Sequence, residues 1–500
     1  MKKIYLLVLL ITGTVGAQDV FIPDPNFKAK LIAVGVDINL DGEIQTYEAE
    51  QTFVLDITEA NISDLTGIEA FINLYDLNFS FNNVTVADLS ANSALSHLYG
   101  AYNPLSTYIT NSAAPLEYLG FNYTLLTSLD FSGNTTIAWI TIGGTPLTSV
   151  DLTGCTALTT VNFTECELTS IDLSTCSALT SLTLTGNNLQ SIFLPPNSGL
   201  YYLVANGNEL TTIDVSSQLQ LSTLDVQLNN LTSIDVSNNV ALTWLALEGN
   251  ELTTIDVSNL PLLNGFFITG NQQLETVFMK NGGLEPNFAY WDCPNLVYIC
   301  ADDEQISTVQ LSAGPSVVVN SYCSFTPGGD YNVITGAVQY DSDNNGCDAA
   351  DATNNFVKIG ITSGTTSGSA FTNLDGSYNF YVEAADYTVA PILENPAYFT
   401  ISPPSATVNF PLSNNSISTQ NFCLTPNGVH SDAEMVIVPT TPARPGFDAV
   451  YEITFKNKGN QVLAGQASFT FEDAVMDYVS ASVTPNAIAS GVLTWNYTNL

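Results

Sequence analysis

Positive charge is almost missing from this chain. Nine Lys+Arg stand against 48 Asp+Glu, a formal net charge of −39, and two of the lysines fall in the first three residues. Such a polyanion repels nucleic acid and anionic lipid headgroups, so both are excluded as partners. Histidine is as scarce, with His97 and His430 only. The eight cysteines include no C-x-x-C pair, so no clustered zinc site is expected. No G-x-S-x-G or H-E-x-x-H motif occurs, neither histidine has a dedicated partner, and carboxylates are too numerous to single out a hydrolytic pair. The chain reads as non-enzymatic. After the first residues, no apolar run approaches the ~20 needed to span a bilayer. Charged residues make up 11% and hydrophobic residues 45%, which also sets the chain apart from disordered acidic tails.

What is present begins with an export leader. MKK is a positive start, IYLLVLLITG an apolar run and VGA a small-residue cleavage site before Gln18, so residues 1–17 are expected to be removed. The mature chain is then secreted, extracellular or at the cell surface, where disulfides can form. About 480 mature residues suggest about three domains.

An internal repeat decides the fold of the first half. LTSIDVSNNVALTWLALEGNE starts at Leu231, and the same register starts at Val84, Leu105, Leu126, Leu147, Leu168, Leu189, Leu210 and Leu252, each 21 residues after the last. The outer neighbours Ile62 and Leu274 sit 22 away. Apolar residues recur at offsets 0, 3, 5, 11, 14 and 16, with Asn, Cys or Thr usual at 19. One such unit cannot bury its apolar face alone; stacked units form a parallel ladder with a continuous leucine core. The expected fold is mostly β, a leucine-rich repeat solenoid over 61–325 including its C-terminal cap. The Leu-Thr-x-Ile-Asp-Val segment should form a second short strand on the opposite flank.

Residues between the leucines point outward on the concave face. They include His97, Tyr99, Tyr118, Trp139, Tyr202, Asp225, Trp244, Glu248 and Phe267, taken as candidate ligand-binding residues. Aromatic platforms beside polar groups suit an extracellular protein or glycan ligand, while the alternative is that they pack on one another. The middle units carry only Thr160, Thr164, Ser181, Thr183 and Thr185, so a footprint should favour the two ends. A second row, Asp88, Asp130, Asp151, Asp172, Asp214, Asp235 and Asp256, recurs at one offset. Hydrogen bonds from the following Ser and turn amides, or shared cations, would offset its repulsion.

The N-terminal cap is expected over 18–60. Within it DINLDGEIQTYE matches a calcium loop, with Asp37, Asn39, Asp41, the Glu43 carbonyl and Glu48 as ligands and Gly42 at the turn. The cap context favours a single structural calcium over a sensor. At the other end, Cys300–Cys323 is the expected cap disulfide, although spacing alone leaves other pairings open. From Tyr331 the period stops. Short alternating strands with Gly, Asn and Pro turns predict a β-sandwich over 328–425. Its loop DSDNNGCD offers a second candidate calcium site at Asp341, Asp343, Asn345 and Asp348, and Cys347 with Cys423 would staple it. A further sandwich is expected over 426–500. The strand pattern is still running at WNYTNL, so a fragment is expected, the alternative being an incomplete last sandwich.

The motifs L-T-x-I-D-V-S-x-N and L-x-x-L-x-L-x-x-N, with IPDPNFKAKL and ISDLTGIEAF ahead of them, resemble secreted leucine-rich repeat proteins of the Bacteroidota. The 331–423 region is similar to carboxypeptidase-regulatory or collagen-adhesin B-type sandwiches. HSDAEMVIVP with ARPGFDAVYEITFKNKGN resembles an Ig-like conserved repeat domain. The resemblance implies a cell-surface or extracellular binding and adhesion protein exported as type IX secretion cargo, and the chain is expected to be a monomer. The alternative is the targeting portion of a larger secreted enzyme whose catalytic domain lies beyond residue 500.

Overall fold

The computed structural model describes residues 18–314, 316–323, 331–441, 444 and 446–500; the expected leader at 1–17 lies outside them. Two compact units meet between Leu296 and Val297. That boundary falls inside the segment expected as the solenoid's C-terminal cap, with Cys293 on one side and Cys300 and Cys323 on the other.

The first unit opens with the helix Pro25–Ala33. Pro25 suits the first helical position, where no N–H partner is needed, and Asp24 caps it by accepting the N–H of Asn26 at 2.8 Å and of Phe27 at 3.1 Å. The other Asp24 oxygen takes the N–H groups of Ser63 and Asp64 and the Ser63 hydroxyl, at 2.8–3.1 Å. Burial alone would raise this carboxyl, but those hydrogen bonds outweigh it and hold it below the ordinary range. One buried side chain thus fastens the cap to the first repeat.

Twelve short parallel strands follow, from Val54–Asp56 to Asn287–Ala289, paired in the order in which the chain makes them. The register advances one repeat at a time, so Leu77, Leu98, Leu119, Ile140, Val161, Leu182, Leu203, Leu224, Leu245 and Phe266 form one buried column. On the opposite flank three two-stranded sheets form, Val86–Leu89 with Thr107–Thr110, Ser128–Asp130 with Ser149–Asp151 and Ser170–Asp172 with Ser191–Phe193, and further on Thr254–Asp256 pairs with Thr276–Phe278 at the start of a longer sheet. The segments 212–214 and 233–235, expected as strands of this flank, are not strands. There the Asn239 side chain ties adjacent turns instead, donating to the carbonyls of Val215 and Gln218 at 2.9 Å.

The offset-19 residue closes each turn. Asn229 Nδ2 donates to the carbonyls of Val226 and Ala205, both at 3.0 Å, and its Oδ1 accepts the Leu210 N–H at 3.0 Å. Asn187, Asn208, Asn250 and Asn271 repeat the pattern. Cys166 stands in the same column, its Sγ 3.6 and 3.7 Å from two carbonyls. Burial pushes its thiol to about 11, as it does for Cys176, and that of Cys155 to about 12, so these sulfurs serve as inert core atoms.

The residue just before this column is left-handed in turn after turn. Gly144 occupies it (φ 62°), and so do Phe81, Tyr102 and Tyr123 (φ 55–58°). A left-handed aromatic residue costs about 1–2 kcal/mol. Here the rings stack at 4.5 and 4.6 Å, each contact worth ~0.5–1.5 kcal/mol, which offsets the strain. Tyr123 lies so close over Gly144 that a Cβ there would come within 2.5 Å of its ring.

In the second unit two sheets enclose one core. One includes Lys358–Ser363, Thr366–Phe371, Asp386–Ile392 and Ala406–Asn409; the other centres on Asn332–Tyr340, flanked by Ser377–Val382 and Phe422–Pro426. Ile334, Ile359, Ile361, Phe380, Val389 and Phe422 meet between them. Disulfides join Cys300 to Cys323 and Cys347 to Cys423. Beyond Asn427 lie a hairpin, Ala433–Pro439 with Tyr451–Asn457, and a three-stranded sheet, Gly465–Thr470, Val492–Tyr497 and Ala487–Ala489. Asn460 fastens this part by donating to the carbonyls of Tyr398 and Gly428 and accepting the His430 N–H at 2.8 Å. Among the described residues no helix is long and apolar enough to cross a membrane.

The asparagine column carries a stability prediction. Asn229→Ala strands buried backbone groups on two adjacent turns and should cost about 2–4 kcal/mol in urea unfolding. Cys166→Asn replaces weak sulfur contacts with amide bonds and should raise Tm. A neutral Asn229→Ala would refute the role given to the column.

Candidate functional site

Every aromatic candidate named from the sequence stands on the twelve-stranded sheet, in two parallel rows. The first runs His97, Tyr118, Trp139, Thr160, Ser181, Tyr202, Thr223, Trp244, Gly265. The second runs Tyr99, Gly120, Thr141, Asn162, Thr183, Val204, Asp225, Ala246, Phe267 in the same pairings. The rings gather at two places. His97, Tyr99 and Trp139 surround Tyr118 with centroids 4.8–6.5 Å from it, and Trp244 meets Phe267 at 4.6 Å. Tyr202 stands apart. Between Trp139 and Tyr202 lie three strand spacings, ~14 Å, faced by Thr160 and Ser181. Trp139 and Trp244 remain 47% and 42% exposed, so packing on neighbours uses only part of each ring.

The second cluster is the more polar. A Cβ on Gly265 would sit 2.6 Å from the Trp244 ring and 3.0 Å from Phe267, so glycine is what lets the indole lie across the neighbouring strand. Ala246 is wholly buried in the middle, with Trp244 two residues before it on its strand, Glu248 two residues after it just beyond the strand's end, and Asp225 and Phe267 paired beside it. Burial raises the Asp225 carboxyl; the Gln227 N–H at 3.3 Å, the Gln227 side chain and the Asn206 amide at 3.4 Å only partly oppose this. Burial and then the neighbouring Asp225 charge raise Glu248. Among the described residues no hydrogen-bond donor reaches the Glu248 carboxylate. Asn206 Oδ1 is buried without a partner, and at the other cluster so is His97 Nδ1.

The aspartate row lies on the opposite flank, and each member closes an Asx turn. The carboxylates accept the N–H two residues on, from Ser90, Ser132, Thr153, Ser174, Ser216, Ser237 and Ser258, at 2.8–3.1 Å. The following serine's hydroxyl and N–H hold Asp88, Asp130, Asp172, Asp214 and Asp235 below the ordinary range. An open groove of about 650 Å³ is lined by Asp130, Asp151, Asp172 and Tyr108.

The two candidate calcium loops have the same form. Asp37 accepts the N–H groups of Asp41 and Gly42 at 3.2 and 2.9 Å, and Asp341 those of Asn345 and Gly346 at 3.1 and 3.0 Å. Leu40 and Asn344 are both left-handed. In the first loop Asn39 and Gln45 donate to Asp41, the Glu43 side chain pairs with Lys28, and Glu48 is fully buried. Glu48 accepts the N–H groups of Ile38, Asn39 and Gln45 and the Tyr47 hydroxyl, at 2.9–3.2 Å. In the second loop oxygens of Asp341, Asp343 and Asp351 lie within 4.8 Å of one another. Asp351 lies outside the DSDNNGCD motif. Asp348 accepts the Ala350 N–H at 2.7 Å, and Asn345 donates to Asp343.

No family model matches the chain, and no curated protein matches it. Among solved structures it is similar to the functional domain of InlJ from Listeria monocytogenes, described as including a cysteine ladder, at 21% identity, over 82% of this chain and 98% of that one, with a TM-score of 0.42. An internalin (inlF) from the same species is 19% identical over 58% and 99% of the two chains, TM-score 0.33. The leucine-rich repeat domain of APL1B is 17% identical over 56% and 81%, TM-score 0.37. The first unit is a leucine-rich repeat solenoid. The likeness concerns fold alone.

The raised carboxyls give a pH test with a definite sign. A carboxyl raised by folding favours its protonated form in the native state, so its charge weighs on the fold at neutral pH and ceases to do so as pH falls through its folded pKa. Asp225→Asn and Glu248→Gln should therefore each raise Tm at neutral pH, with the gain shrinking toward about pH 4. Thermal melts showing a lowered Tm for both would contradict the burial argument.

Proposed function

We propose that this chain is a non-enzymatic, secreted or cell-surface binding and adhesion protein. Its concave solenoid face recognises an extracellular protein or glycan, and the second unit serves as a stalk of sandwich-like domains. The observation that carries the reading is the gathering of half-exposed rings into two clusters on one face, with Thr and Ser between them. Rings of this kind supply large contact area at low entropy cost, and buried polar atoms beside them want partners. The leader-like start and the Bacteroidota-type motifs support export, with type IX secretion as the route. Binding of the purified chain to protein and glycan arrays tests this. Trp139→Ala, Tyr202→Ala and Trp244→Ala combined should weaken array binding by about 30-fold or more, on the scale of hot-spot residues. A triple variant that binds like the parent protein would sink the reading.

Calcium is proposed as a structural ion of the two loops. Asp37, Asn39, Asp41, the Glu43 carbonyl and Glu48 would hold it in the cap, and Asp341, Asp343, Asn345 and Asp351 in the second unit, with Asp348 beside them. Their all-oxygen donor sets suit a hard cation. Millimolar calcium should raise Tm and a chelator should reverse it, with Asp343→Asn reducing the shift. Glu48→Ala should lower Tm with or without the ion, because the buried Gln45 N–H loses its acceptor at ~1–3 kcal/mol and the part-buried N–H groups of Ile38 and Asn39 lose theirs as well. No heat and no stabilisation on titration would leave both loops as turns only.

A further inference from the structure

Between Lys30 and Lys280 the sequence has no lysine or arginine at all, so the turns that carry the two aromatic clusters supply neither to their own face. That face nonetheless gathers Asp225 and Glu248 around the buried Ala246, two carboxylates close enough for one to disturb the other. The acceptors there lack donors. Glu248 receives none, Asp225 receives the Gln227 side chain and two long bonds at 3.3 and 3.4 Å, and Asn206 Oδ1 is buried without a partner. The Asn206 amide donates through Nδ2 to Asp225, which fixes its orientation and leaves Oδ1 as an acceptor. Beside these acceptors Trp244, 42% exposed, is held across Gly265 against Phe267.

We infer that Asp225, Glu248, Asn206 and Trp244 form a docking seat for an arginine side chain of a protein partner. The inference rests on the concave-face reading above and names the partner's chemistry. A guanidinium is planar, always charged and carries five N–H donors. It can satisfy several acceptors at once while its face lies on the indole, which a compact ammonium cannot do. A divalent ion is less suited. Among the described residues, three His, Cys, Asp or Glu side chains come within 4.8 Å of one another only at Asp341, Asp343 and Asp351, and the face around Ala246 offers two. Two carboxylates beside an indole present a mixed polar and π surface that matches a delocalised cation.

The test uses the full chain with octa-arginine and octa-lysine peptides of equal charge, read by fluorescence anisotropy. Asp225→Asn with Glu248→Gln should weaken octa-arginine binding about 10-fold. Asp214→Asn with Asp235→Asn, the same charge change on the opposite flank, should leave it within about 2-fold, as expected for solvated charges. Trp244→Ala should weaken octa-arginine more than octa-lysine. Equal losses from the two charge pairs would show a general polyanion effect and overturn the seat, as would octa-lysine binding equal to octa-arginine with no response to Trp244→Ala. Calcium binding abolished by the Asp225/Glu248 pair, with octa-arginine indifferent to it, would overturn it too. On the arrays, loss with the aromatic variants but none with Asp225→Asn/Glu248→Gln would end this inference alone. No loss with either set would end the concave-face reading as well.

Discussion

One side-chain amide at the end of most turns holds the solenoid in register, with Thr124, Thr145 and Cys166 in its place in three. It donates to a carbonyl of its own turn and one of the turn before, and accepts an N–H from that earlier turn, so a single residue spans two repeats. In a parallel ladder a slip of one residue would send every leucine outward, which makes the register the most costly thing to get wrong. The amide column opposes that slip because its three bonds form together only when adjacent turns are level. Where Cys166 replaces the amide the ladder continues, carried by the flanking copies and the leucine column.

The same register builds the aromatic face. Because every turn repeats at the same height, residues at one offset become neighbours about 4.8 Å apart, and a scattered set of rings in the sequence becomes two patches. The solenoid can tolerate poorly compensated groups on that face because the load is carried elsewhere. Asp225 and Glu248 weigh against the fold, whereas the aspartates of the opposite flank are each satisfied within their own turn. Asp225 and those aspartates thus play opposite parts, and the difference lies first in burial, which raises Asp225 despite its bonds from Gln227, whereas the exposed Asp172 and Asp214 gain a hydroxyl and an N–H from the serine two residues on.

The repeat, its parallel ladder, the placing of Tyr118, Trp139, Trp244 and Phe267 on one sheet, and the Asx turns of the aspartate row were all legible from period and offset. Other features were not. The left-handed column holding Phe81, Tyr102, Tyr123 and Gly144 has no shared residue type, since backbone geometry and ring stacking select it. Segments 212–214 and 233–235 carry the same motif as their neighbours yet are not strands, a difference no local pattern records. Asp351 reaches Asp341 and Asp343 because the loop folds back, outside the spacing of a calcium-loop template.

Covalent order alone dictates the 21-residue period, the parallel stacking and the near absence of cations, because these follow from which residues recur and which never occur. Which side chains converge around Ala246, which acceptors lose their donors and how Trp244 lies over Gly265 depend on distances between different turns. Those distances exist only once the leucine core has packed and the amides have levelled one turn against the next.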